Sequence, residues 1–245
     1  MNFEGSWNFQ RYEEFLAFLN SNQDKKYQEF HKKNIGCNNV IGIRTPILKK
    51  IAKEISKGEY QQFIELNKAN FYETIMIEGF LYGFLKIPFE ELVTYLDRYL
   101  KKINCWAHVD LTVSNLKIFK EEKVLGFKYA KKLIHSKNNW IKRTGIIILL
   151  NYYLYDTYID KNLELVSKIK SDDYYVKMAI AWLMSVSYIK YKEKTLVYLV
   201  NIQDTFIYNK TLSKIVDSNR VSKEEKEFIK SLKRKVEKKE KIGQI

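Results

Sequence analysis

Residues that break regular structure are scarce in this chain, and their scarcity limits the fold more than any other feature: two prolines and nine glycines in 245 residues. Between them run long stretches in which apolar and charged residues alternate at three- and four-residue steps, without the turn clusters that separate strands. An all-α fold follows. Helix starts are legible from capping chemistry: Thr45 before Pro46, Pro88 before Phe89-Glu90-Glu91-Leu92, and the capping-box pattern Ser222-Lys223-Glu224-Glu225. Amphipathic runs over 71–85, 107–119, 140–153, 174–189 and 204–216 place apolar residues on one helical face. About a dozen helices fit.

With 46% hydrophobic and 29% charged residues, the chain has the balance of a globular protein and enough length to bury a core. Nothing rich in Pro, Gly or Ser divides it, so one domain over 1–245 is the simplest organisation. Short loops force consecutive helices to pack antiparallel, giving helical hairpins in series. Trp106, Trp140 and Trp182 recur at steps near the roughly 40-residue period of HEAT or armadillo pairs. The expected architecture is therefore a curved solenoid of antiparallel HEAT-like helical pairs, with a compact bundle as the competitor. A solenoid offers one long concave surface.

Forty-three Lys and Arg against 29 Asp and Glu leave a net charge of +14, which favours polyanions, nucleic acid first among them. A solvated lysine coat without a partner is the plainer alternative. The tail over 222–245 carries nine basic residues against five Glu, with Phe228, Ile229, Leu232 and Val236 at helical spacing, and reads as a basic capping helix. Residues 1–6 have neither a basic start nor an apolar stretch, and the apolar segment 145–155 is too short to span a bilayer. A cytoplasmic protein without membrane contact is expected. Cys37 and Cys105 lie far apart and read as reduced, structural thiols, pointing to neither a disulfide framework nor a zinc site. No metal and no cofactor are called for.

The residues that bear on chemistry centre on Asn104-Cys105-Trp106-Ala107-His108-Val109-Asp110-Leu111. Trp106 and Asp110 are four apart and share a helix face, which continues through Val113 and Lys117. A carboxylate between an indole and a valine needs a cation or donors, because burying it alone costs several kcal/mol. Two later segments, one around Trp140-Ile141-Lys142-Arg143 and one from Tyr174 to Trp182, supply suitable groups. In a solenoid, corresponding helices line one surface, so Asp110, Arg143 and Trp182 would converge. His108 points away from Asp110 on a helix, and His31 and His135 show no partner pattern. Read singly, the tryptophans fit a core, Asp110 fits a helix N-terminal carboxylate, and Arg143 fits an ion-paired surface residue.

Taken in order, these segments resemble the DNA alkylation repair proteins of the AlkD type, HEAT-like-repeat DNA glycosylases. The resemblance runs through Gly42-Ile43-Arg44-Thr45-Pro46, the Trp-x-x-x-Asp of Trp106 and Asp110, and Trp140-Ile141-Lys142-Arg143. It continues through Tyr175-Val176-Lys177-Met178-Ala179-Ile180-Ala181-Trp182, Asn209-Lys210-Thr211-Leu212 and Arg220-Val221-Ser222. It implies that Asp110 is the catalytic aspartate, that Trp106 and Trp182 flank the sugar of the lesion, and that Arg143 holds a backbone phosphate. Lys142, Lys177, Arg44 and Lys210 would meet further phosphates, which position a duplex without reading its sequence. The implied reaction is metal-free excision of cationic N3- and N7-alkylpurines from duplex DNA by a monomer with no base-binding pocket, unlike enzymes that flip the base into one. A non-catalytic relative that binds damaged or branched DNA and a helical scaffold for an acidic protein are the other readings.

Overall fold

A computed structural model describes residues 2–37 and 39–235. It is all-α, with fifteen helices and no strand among the described residues. The capping signals mark true starts. Thr45 is the first residue of α3 (Thr45–Ile55), one position inside the cap its pattern suggested, since Arg44 is the N-cap and no side chain caps the helix; Pro88 is the N-cap of α6 (Phe89–Tyr99), and Ser222 caps α15 (Lys223–Ser231) by accepting from the Glu225 amide at 3.2 Å. The Glu225 carboxylate is engaged with Tyr188 and Lys192 at 2.5 and 2.7 Å. Val236, placed by sequence on the tail helix, lies outside the described residues.

The chain divides into two compact units, Met1–Tyr152 and Tyr153–Ile245. In the first, α3, α5 (Tyr72–Tyr82), α7 (Trp106–Asn115) and α10 (Asn139–Tyr152) form a row in which each packs on the next, while α6 and α9 (Lys123–Ile134) lie against α5 and α10. This alternation of row and flank is compatible with stacked helical pairs. In the second unit α12 (Tyr174–Lys190) packs on α14 (Thr205–Val216), with α11 (Asp156–Ser167), α13 (Lys192–Leu199) and α15 beside them. No helix among the described residues is long and apolar enough to cross a membrane.

The run over 71–85 is not the amphipathic helix its spacing suggests: every residue of α5 is buried, Glu73 and Glu78 included. A helix apolar nearly all round is a core helix, and its charges must be satisfied inside. Glu73 accepts from the backbone amides of Ile41, Gly42 and Ile43 at 2.9, 2.8 and 3.3 Å, anchoring the loop that leads into α3. Gly42 takes φ +104 there, a conformation side chains resist. Glu78 accepts from Lys102 at 2.7 Å, Asn67 at 2.6 Å and the Tyr82 hydroxyl at 2.8 Å.

α7 meets α5 along the buried stripe His108, Thr112 and Asn115, spaced four and three residues apart. Asn115 donates to the Phe80 carbonyl at 3.0 Å, and Thr112 shares a 2.8 Å hydrogen bond with Tyr99. The fit depends on Gly79, where a Cβ would lie 2.0 Å from Thr112 Oγ1 and 2.5 Å from the Tyr99 oxygen. Gly79→Ala is therefore expected to destabilise the protein by about 1–3 kcal/mol through overpacking. The denaturant midpoint measures it, and an unchanged midpoint would contradict this account of the α5–α7 contact.

Candidate functional site

Trp106 is the first residue of α7 and Asp110 lies one turn on; both are half-buried on the flank opposite His108. The Trp106 indole N–H reaches the Asn34 carbonyl at the end of α2 (Lys25–Ile35), at 3.4 Å. From α10, the Arg143 guanidinium donates through Nε to Asp110 Oδ1 at 3.1 Å and through Nη2 to Oδ2 at 2.7 Å. The side chains of Arg143 and Asp110 are 6% and 14% exposed, so the pair is largely withdrawn from water. On its other side α10 lies close to α9 because Gly145 has no side chain: a Cβ would lie 2.8 Å from the Ala130 carbonyl.

The sequence called for a cation beside Asp110, and Arg143 is that cation. Burial pushes the Asp110 carboxyl above its ordinary value, and the Arg143 hydrogen bond and charge offset only part of that push. Both oxygens still accept from one guanidinium that cannot lose its proton, an arrangement that favours the ionised carboxylate.

His108 takes no part in this pair. It is fully buried, stacked on Tyr72 with ring centroids 4.7 Å apart, and its Nε2 lies 3.1 Å from the Tyr72 carbonyl. Burial lowers its pKa to about 4, so it is neutral and neither a general base nor a charge beside Asp110. His31, read from sequence as partnerless, packs edge-on against Tyr27 and tilted against Tyr72 at 4.9 and 4.8 Å. Another departure concerns the thiols: Cys37, Cys105 and His108 gather with their ligand atoms all within 4.8 Å of one another. The local signal was Cys105-x-x-His108, a ligand-type spacing. Cys37 joins it from a distant loop, which no pattern announces.

Of the remaining residues in the first unit, Lys142 is half-buried beside Arg143 on α10. Arg44 is exposed at the N-cap of α3, paired with Asp24 at 2.8 Å and lying over the Tyr27 ring at 5.0 Å. Trp140 opens a turn of α10, and its carbonyl accepts from Thr144 at 2.8 Å. In the second unit Trp182 stands 37% exposed on α12, beside Ser185, Ile189, Lys214 and Arg220 along an open groove. Lys177, also on α12, pairs with Asp204 at 2.9 Å, and Lys210 is half-buried on α14.

The neutrality of His108 is measurable. In chelator-treated, metal-free protein its ring-proton resonance should titrate with a midpoint near 4, far below the ordinary 6.5. A midpoint near 6.5 would place the ring in water and contradict the stack on Tyr72.

Comparison with family models matches residues 12–230 to the family described as DNA alkylation repair enzyme, and the chain belongs to that family. Comparison with curated proteins found none that matches the chain.

Proposed function

We propose that this member of the DNA alkylation repair enzyme family is a monofunctional glycosylase that hydrolyses the N-glycosidic bond of cationic N3- and N7-alkylpurines in duplex DNA. The observation that carries this reading is the Asp110–Arg143 pair: one carboxylate, bound through both oxygens by a single guanidinium and partly exposed. Breaking a glycosidic bond builds positive charge on the sugar, and most glycosidases need one carboxylate to steady it and another to protonate the leaving group. An N-alkylated purine is already positive. The bonding pair leaves with the base and neutralises it, so no acid is needed and a single carboxylate suffices. Water, oriented by Asp110, then bonds to the sugar carbon and gives up a proton through that carboxylate to the solvent.

Arg143 serves this chemistry by keeping Asp110 ionised against burial and by offering positive charge to a backbone phosphate. The half-buried indole of Trp106, one turn from Asp110, presents an electron-rich face to a cationic nucleotide, an attraction of about 0.5–2 kcal/mol. In the second unit the exposed indole of Trp182 has the same character. Arg44, Lys142, Lys177 and Lys210 would contribute sequence-independent phosphate contacts, each steepening the fall of log K with log salt by about 0.9. The chain would act as a monomer on DNA.

The decisive assay is release of free alkylpurine from alkylated duplex DNA. The native protein should release it, and Asp110→Asn should abolish release while still binding the duplex. Release by Asp110→Asn at the native rate would overturn the mechanism, and binding without release by either protein would leave a non-catalytic relative. The rate should also fall on acidification as Asp110 takes up a proton. Because burial raises that carboxyl, the midpoint of the fall should lie above the ordinary 3.8.

A further inference from the structure

The buried group behind the catalytic face of α7 has the chemistry of a metal site. Cys105 is the N-cap of α7, and the neighbouring Cys37 together with burial pushes its thiol up, so without a metal it holds its proton. Its Sγ lies 3.4 Å from His108 Nδ1. In a tetrahedral zinc site, with Zn–S of about 2.3 Å and Zn–N of about 2.0–2.1 Å, that edge measures roughly 3.6 Å. His108 Nε2 faces the Tyr72 carbonyl at 3.1 Å, so a proton on Nε2 leaves the Nδ1 lone pair directed at the thiols. Orientation of an imidazole by a backbone carbonyl is how metal-bound histidines are commonly held.

The third group, Cys37, comes from the loop after α2, and its Sγ is 3.2 Å from Asn104 Oδ1. Cys37, Asn104 and Tyr72 border an open cavity of about 380 Å³. The Tyr72 hydroxyl is buried without a hydrogen-bond partner and lies within electrostatic reach of both cysteines. An orphaned buried hydroxyl calls for an explanation, and this one stands beside the thiols.

We propose that Cys37, Cys105 and His108 bind a zinc ion, completed by Asn104 Oδ1 or by water from the adjoining cavity. Binding expels the two thiol protons, so affinity rises with pH. Loss of the Cys37 proton also removes the donor that Asn104 Oδ1 now accepts from, leaving that oxygen for the metal. The ion ties the first turn of α7, with Trp106, to the loop after α2. Its role is structural, and it does not depend on the glycosylase reading.

The test uses the full chain, purified without chelator under reducing conditions. One zinc per chain is expected, and Co²⁺ added to metal-free protein should give thiolate-to-cobalt charge-transfer bands with four-coordinate visible absorption. Cys37→Ser, at the cavity rim, should weaken cobalt binding by at least about 100-fold, more than loss of an outer-shell partner commonly does. The cobalt spectrum of the native chain decides the matter even where that variant folds poorly. Absence of thiolate bands, affinity unmoved by Cys37→Ser, or a Cys37–Cys105 disulfide in metal-free native protein would each overturn the proposal.

Discussion

Burial of α5 on every side governs the first unit. A helix with no solvent face cannot leave a carboxylate to water, yet Glu73 and Glu78 both sit on it. Each must be answered from within the fold, Glu73 by three loop amides and Glu78 by Lys102, Asn67 and Tyr82. Removing a partner from such a group leaves a desolvated charge, a penalty far larger than the net gain of any one hydrogen bond. The loop into α3, the segment around Asn67 and the end of α6 are thereby fixed to one helix. α7 is then fitted against it through His108, Thr112 and Asn115.

The same economy of polar groups explains the two faces of α7. Its inner stripe carries side chains that satisfy α5: His108 on the Tyr72 carbonyl and Asn115 on the Phe80 carbonyl. Its other flank carries Asp110, which α5 cannot serve and which α10 answers with a two-pronged arginine. A neutral imidazole and an ionised carboxylate thus sit two residues apart in opposite environments, and burial sets the titration of both. Neither group needs a special sequence neighbour, only a different side of the helix.

The all-α class, the helix starts at Thr45, Phe89 and Lys223, and the shared face of Trp106 and Asp110 were legible because each rests on residues within a turn or two of one another. Arg143 was legible as a partner because a buried carboxylate requires a cation and the next suitable segment offered one. What escaped was long-range. A carboxylate read at helical spacing looks solvent-facing, so Glu73 and Glu78 gave no hint of burial. His31 looked partnerless because its aromatic neighbours Tyr27 and Tyr72 meet it only when α2 and α5 pack. The direction of the Asp110 shift depends on a balance between desolvation and attraction that sequence cannot weigh.

The missing side chain at Gly79 has a mechanical consequence. Thr112 and Tyr99 fill the space where a Cβ would stand, so the two helices are seated at backbone distance. At that distance α7 cannot roll about its own axis without driving Thr112 into the backbone of α5. The azimuth of the whole helix is locked, and with it the bearing of Asp110. A carboxylate so mounted keeps one bearing for as long as the two helices stay packed.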